Sequence, residues 1–228
     1  MARHGIPSVS TLWQKHETLY VGVFIMALRR LSETGCPSTS EDDISEWLCP
    51  LLTKICFEEN RRNNSCEIRT PDWDKPLQPV NKNELKGGKR KKRPDFTCKL
   101  VNTFADSPDD HEIPFHVECK LLGLPTSRTW ILNKNYVTEG IKRFDSRSHE
   151  YGKRAFSGMM LGYIISMAPE KILEEVNSHQ QKHCPYNPAI KLESVREKLQ
   201  QCRQELKRKS LKPQEFKLIH LWVDLRKQ

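Results

Sequence analysis

The chain has 228 residues, of which 36% are hydrophobic and 29% charged, the balance of an ordinary globular chain and not of a collagenous, fibrous or disordered one. Its longest apolar run, Leu19 to Leu28, has ten residues, half of the roughly 20 that a membrane-spanning helix needs. Lys and Arg outnumber Asp and Glu by 38 to 29, a formal net charge of +9, which favours polyanionic partners such as nucleic acid or an acidic membrane surface.

The chain does not open on a basic start followed by an apolar stretch and a small-residue cleavage site, so the expectation is a cytoplasmic protein. Its eight cysteines form no CxxC pair, and four sit inside apolar segments, which reads as reduced, buried thiols. A zinc site made from Cys36, Cys49, Cys56 and Cys66 would need spacings unlike the usual short ligand pairs. The expected organisation is one compact domain: an N-terminal helical segment over 1–60, a basic loop region over 61–93, and a core over 94–228.

Residues 10 to 33 place Leu12, Trp13, Leu19, Tyr20, Val23, Phe24, Ala27, Leu28 and Leu31 on one broad helical face, which predicts a core helix. Gly35, Pro37 and Ser38 end it. Ser40 followed by Glu41, Asp42 and Asp43 reads as an N-cap with acids where the helix dipole favours them. The second helix runs to about Asn60 with Ile44, Trp47, Leu48, Leu51, Leu52 and Ile55 inward, and Pro50 is expected to kink it. From Arg61 to Arg93 the pattern dissolves, with only Ser65 to Thr70 resembling a strand. Lys86 to Arg93 carries six basic residues in eight positions. That run reads as a solvated loop, as a phosphate-contacting loop through Lys89, Arg90, Lys91, Lys92 and Arg93, or as a nuclear localisation signal.

Alternation then takes over. Phe96, Cys98 and Leu100 point one way from a strand over 94–104, and Ile113, Phe115, Val117, Cys119 and Leu121 share one face of a strand over 113–122. The polar linker between them predicts an antiparallel hairpin. Asn135 to Asp145 reads as a short helix, Ala155 to Ser166 as a buried strand with close-packing glycines, and Pro169 to about His183 as a further helix. Leu192, Val195, Leu199, Cys202 and Leu206 stand at spacings of 3, 4, 3 and 4, which predicts a helix over 189–209 with a seam suited to an intramolecular or a partner helix. Phe216 to Leu225 closes the chain as a strand with Ile219, Leu221, Val223 and Leu225 on one face and His220, Trp222 and Asp224 on a polar side. Strands interleaved with helices predict an α/β sheet domain.

The polar face of the hairpin carries the chemistry. Period-two alternation projects Glu118 and Lys120 together while Cys119 turns into the core, and Asp95 stands on the facing strand. Bare carboxylates repel phosphate, since unit charges about 4 Å apart interact by about 4 kcal/mol at an effective dielectric near 20. A divalent ion held by hard oxygen ligands inverts that repulsion.

Pro94-Asp95, followed after a hairpin by Glu118-Cys119-Lys120 within the hydrophobic strands RPDFTCKL and IPFHVECKLLG, resembles the signature of the PD-(D/E)XK nuclease superfamily, over about residues 90 to 166. The resemblance implies a restriction-endonuclease-like α/β core, a mixed central sheet flanked by helices, with an N-terminal helical segment and a C-terminal helix-strand extension. It implies a Mg²⁺- or Mn²⁺-dependent endonuclease in which Asp95, Glu118 and the Cys119 backbone carbonyl bind metal. Lys120 would orient or help deprotonate the attacking water and stabilise transition-state charge. By the same resemblance, in-line attack would leave a 5′-phosphate and a 3′-hydroxyl. DNA would be the substrate and bacterial restriction or antiviral defence the setting. A first-helix acid often joins such a site, and Glu46 and Glu17 are the candidates. Glu139 and Arg143 either contribute a polar group or make an i,i+4 ion pair, and Lys142 is placed to touch backbone phosphate. His116 shares the face of Glu118, either near the site or as a solvated strand histidine. His179, His183 and Cys184 have a metal-capable spacing, although a frayed helix end accounts for them better. The competing readings are a non-catalytic nucleic-acid-binding or scaffolding subunit assembled with a partner or a second copy through the 189–209 seam, and a zinc-dependent fold with no catalytic role.

Overall fold

The computed structural model describes residues 8–62, 67–79, 84 and 92–226. Helices α1 (Val9–Thr34) and α2 (Glu41–Arg62) come first, followed by the short strand β1 (Asp72–Trp73), β2 (Phe96–Val101) and β3 (Glu112–Leu122). A helical segment over 132–145 then begins as α3 (Leu132–Asn135), widens into a π-helical turn (Tyr136–Gly140) and tightens into a 3₁₀ turn (Ile141–Asp145). Strand β4 (Ser157–Ile164), helix α4 (Pro169–His183) and strands β5 (Lys191–Arg196), β6 (Leu199–Lys207) and β7 (Glu215–Asp224) complete it.

Among the described residues seven strands form one sheet in the order β1-β2-β3-β4-β7-β6-β5. The predicted hairpin is present, β2 running antiparallel to β3 from Phe96 opposite Val117 to Val101 opposite Glu112. The centre is parallel, β3 with β4 and β4 with β7, and the far side is antiparallel. This is a mixed α/β architecture with helices on both faces. Every residue of β4 is buried, as an apolar run in a parallel centre requires. There Gly162 lets its neighbours close in, because an added Cβ would lie 2.4 Å from Leu122 Cδ1 and 2.5 Å from Trp222 Cδ1.

The apolar stripe of α1 lies on one face of the sheet. Trp13 packs edge-on against Phe115 and donates its indole N–H to Ser157 Oγ at 2.9 Å, and Phe24 packs on Phe96. Ile44, Leu48, Leu52 and Ile55 of α2 join the same core. Burying each such side chain stabilises the fold by about 1.5–3 kcal/mol. Trp47 departs from the expectation and stays 49% exposed. Pro50 sits inside the helix as read. The hydroxyl at the start of α2 that takes a backbone N–H is that of Ser38, which accepts from Ser40 N at 3.0 Å and donates to Asp43 Oδ2 at 2.6 Å.

The opposite face is covered by residues 132–145 and by α4. Tyr136 O–H meets His220 Nδ1 at 2.8 Å and accepts from Trp222 Nε1 at 2.8 Å, and Phe144 packs on Phe216. The final strand therefore has no polar side. His220 and Trp222 are fully buried, because β7 lies between β4 and β6 with helices above and below. Asp224, partly buried, pairs with Arg226.

Two expectations are corrected. Residues 67–70 are not a strand, and the edge pairing falls instead to Asp72 and Trp73 opposite Thr97 and Phe96. The predicted helix over 189–209 is a β-hairpin, so the seam for a partner helix does not exist. Leu192 and Val195 are 47% and 55% exposed, while Cys202, Gln204, Leu206 and Arg208 alternate inward. The inward polar residues bond internally, Gln204 Nε2 donating to Pro188 O at 2.7 Å and Arg208 Nη1 to the Gly152 carbonyl at 3.1 Å.

Among the described residues no helix is long and apolar enough to cross a membrane. The seven described cysteines are free thiols, five of them buried. Cys66 of the four-cysteine zinc reading lies outside the described residues.

Candidate active site

The site forms where two neighbouring strands differ in length. Strand β2 stops pairing at Phe96, opposite Val117, while β3 continues to Leu122. Beyond that point the N–H groups of Cys119 and Leu121 have no partner on β2, and a buried backbone donor left unbonded is costly. Carboxylates fill the gap. Asp95 Oδ2 accepts from Cys119 N at 2.5 Å, and Glu41 Oε2 accepts from Leu121 N at 3.1 Å.

The hairpin alternation works as expected on this stretch. Cys119 turns into the core, where its thiol accepts from Tyr163 O–H at 3.3 Å and Tyr163 O–H in turn meets Ser45 Oγ at 3.1 Å. This chain of contacts ties β3 to β4 and α2 behind the site. Glu118 and Lys120 project to the other face, with Glu118 completely buried and Lys120 nearly so. Lys120 Nζ lies 2.6 Å from Glu41 Oε1, 2.9 Å from Glu118 Oε1 and 2.6 Å from the Cys119 carbonyl. Arg143 Nη1 reaches the same Glu118 Oε1 at 2.5 Å. Glu118 Oε2 is buried and accepts no hydrogen bond.

Burial dominates the electrostatics. It pushes the Asp95 carboxyl up to about 8, with Glu118 adding to the rise and Lys120 and the Cys119 N–H opposing it. Glu118 is also raised by burial, held back by Lys120 and Arg143. Burial works against the Lys120 ammonium, but Glu118, Glu41 and Asp95 outweigh it and hold its pKa above the ordinary lysine value. The Lys120 side chain is therefore favoured in its charged form. Tyr151 stands over this group, its ring 5.5 Å from that of His116, and its phenol is raised by burial and by the charge of Glu118.

Asp95, Glu118, Lys120 and Arg143 thus come together, and the helical acid that joins them is Glu41, the first residue of α2. Glu46 is exposed on α2, and Glu17 pairs with Lys217 on the far side of the sheet. The clue to Glu41 in the sequence was its place at the helix start. Its reach to Leu121, 80 residues on, is a tertiary fact. Glu139 is exposed and does not pair with Arg143, which is drawn to Glu118. Glu139 lies in the π-helical turn and Arg143 in the 3₁₀ turn that follows, which removes the regular i,i+4 spacing. His116 is not solvated. It is buried, meets Thr97 Oγ1 at 3.1 Å, and burial pushes its imidazole down to about 3.

Of the basic run, Lys89, Arg90 and Lys91 lie outside the described residues. Lys92 Nζ stands 3.5 Å from His149 Nε2, and Arg93 pairs with Asp74 at 3.0 Å. Lys142 is half-buried and lines an open cleft beside Arg143.

No group of three or more His, Cys, Asp or Glu that could hold a metal ion is present among the described residues. The donors that are present, the Asp95 carboxylate, Glu118 Oε2 and the Cys119 carbonyl, are all hard oxygens. Mg²⁺ accepts such a partial set because it keeps several waters and seldom uses an all-protein cage. The unbonded buried Glu118 oxygen is the observation that fits this best. Compared with protein-family models, curated proteins and solved structures, the chain matches none.

Proposed function

We propose that the chain is a metal-dependent endonuclease of the PD-(D/E)XK type on a restriction-endonuclease-like core, hydrolysing phosphodiester bonds with DNA as the preferred substrate. The observation that carries this reading is the meeting of Asp95, Glu118 and Lys120 at the end of β2, with a buried Glu118 oxygen unbonded.

Asp95, Glu118 and the Cys119 carbonyl would hold Mg²⁺ or Mn²⁺. When bound, the ion supplies a lowered pKa for water and neutralises phosphate charge. Lys120, kept charged by its acidic neighbours, orients water and donates to the developing negative charge. Glu41 fixes the Lys120 ammonium by accepting from it and from the Leu121 N–H. Arg143 holds Glu118 in place.

The experiment is incubation of the purified protein with supercoiled DNA, linear DNA and RNA in Mg²⁺, Mn²⁺ or chelator. Metal-dependent nicking is expected, reduced at least about 100-fold in Asp95→Asn, Glu118→Gln and Lys120→Met. Cleavage that survives these substitutions, or none under any metal, refutes the proposal. Metal-independent binding without cleavage would favour a non-catalytic nucleic-acid-binding subunit.

A further inference from the structure

A second feature of the same face is a concentration of basic side chains, of which Arg143 is paired with Glu118. Lys142 and Arg143 lie on the last turns of the 132–145 segment and line an open cleft of about 480 Å³ with Arg147 and His149. Arg143 connects the cleft directly to Glu118. On the adjoining C-terminal half of α4, His179 and His183 stack with ring centroids 6.2 Å apart and an interplanar angle of 22°. The cations of Lys134, Lys142 and Lys182 all act on His183, and those of Lys134 and Lys182 on His179. Basic groups from both elements therefore crowd one ridge.

Acids that could balance this ridge are engaged or sparse. Glu175 accepts from Asn133 Nδ2 at 2.9 Å, and Asp145 takes the N–H groups of Lys209 and Ser210. Two acids line the cleft, Asp145 with its oxygens bonded to backbone N–H groups and Glu139, which is exposed. Among the described residues Lys134, Lys142, Arg147 and Lys182 form no salt bridge, whereas Lys75, Lys99 and Lys153 are paired. Like charges gathered without counter-charge destabilise a surface and raise its affinity for a polyanion.

We infer that the ridge made by residues 132–145 and the C-terminal half of α4 is the track along which a nucleic-acid phosphate chain reaches the Asp95–Glu118–Lys120 centre, with Lys134, Lys142 and Lys182 as phosphate contacts. The inference rests on the nuclease reading for the destination of the chain, but not for its binding. It shifts the main contact surface from the basic run at 86–93 to the helical side of the site. Burial and the neighbouring lysines hold His179 and His183 below the ordinary histidine range, with only Glu175 acting the other way on His179. Arriving phosphates oppose that lowering and favour protonation of both imidazoles, so binding takes up protons and tightens as pH falls.

The test is anisotropy of a labelled DNA duplex in chelator, titrated with salt, on the full chain. Replacing Lys134, Lys142 and Lys182 together by Gln should lower the slope of log affinity against log salt by roughly 2–3 units. Glu139→Gln should tighten binding, and His179→Gln with His183→Gln should flatten the pH dependence. An unchanged salt slope in the triple variant, or binding of anionic lipid vesicles in place of DNA, overturns the track. Because no metal is present, the outcomes separate: DNA cleavage with an unchanged slope removes the track and leaves the nuclease. A reduced slope with no cleavage under any metal supports the track and removes the nuclease.

Discussion

Replacing Asp95 by Asn should make the protein more stable while abolishing the proposed metal binding. The Asp95 carboxyl is raised from 3.8 to about 8 by burial and by Glu118, so the folded state binds a proton more tightly than the unfolded chain does. Its ionisation therefore lowers stability as pH rises from about 4 to about 8, and the loss is largest above that range. At about pH 7 the difference corresponds to about 4 kcal/mol, from about 1.4 kcal/mol for each pH unit above the unfolded value. Asparagine reproduces the neutral acid, and its side-chain carbonyl can still accept from the Cys119 N–H that now lies 2.5 Å from Asp95 Oδ2. Asp95→Asn is expected to gain about 2–4 kcal/mol at about pH 7.5 and under about 1 kcal/mol near pH 4.5. Urea denaturation followed by tryptophan fluorescence reads this directly. Saturating Mg²⁺ at about 100 times its dissociation constant should stabilise the parent protein by about 2.7 kcal/mol and the variant by little. Parallel stability of the two proteins across this pH range would refute the reasoning, and equal stabilisation of both by Mg²⁺ would remove Asp95 from the ligand set.

Arg143→Met leaves Glu118, already raised by burial, with Lys120 as its remaining cation partner, and a loss of about 2–4 kcal/mol is expected. Because the further-raised Glu118 opposes folding once ionised, the loss should be greater at about pH 8 than at about pH 5 in denaturant titrations. Tyr136→Phe removes the hydroxyl shared by Trp222 Nε1 and His220 Nδ1, both fully buried, and should reduce stability by about 1–3 kcal/mol in the same assay. A neutral result there would mean that water replaces the hydroxyl.

The elements legible in the sequence were those whose two faces meet different surroundings, or whose run is apolar throughout. Strand β3 shows the former and β4 the latter, while α1 displays a stripe because only one side meets the sheet. Strands β5 and β6 escaped for a specific reason. Their apolar residues stand at spacings of 3 and 4, while the inward alternation of β6 and the residue after it is carried partly by Gln204 and Arg208, whose polar ends bond within the fold. A buried glutamine or arginine does not register as core in a hydrophobic pattern. Trp47 failed the other way, an apolar residue on a helical stripe that the structure leaves in solvent. At the site, Asp95, Glu118 and Lys120 were readable because their placement follows from strand alternation across one hairpin. The roles of Glu41 and Arg143 depend on where α2 begins relative to β3 and on a π-helical turn, neither of which has a local sequence rule.

The chemistry of the site follows from the early end of β2. A strand that stops short leaves its neighbour with two unmatched donors, and here two acids take them, one from the residue just before β2 and one from the first turn of α2. Glu118 adds a third carboxylate, and Lys120 and Arg143 supply two positive charges. Three anions against two cations in a desolvated pocket leave one negative charge uncompensated. The cheapest adjustment is a proton on Asp95, consistent with a carboxyl raised to about 8. In the proposed metal site a divalent cation would take that proton's place, exchanging one form of charge neutralisation for another while leaving the ion pairs of Glu41 and Arg143 in place. Proton and metal then compete for one carboxylate. Apparent Mg²⁺ affinity should consequently rise nearly tenfold per pH unit from about pH 6 to about pH 8 and level off above that.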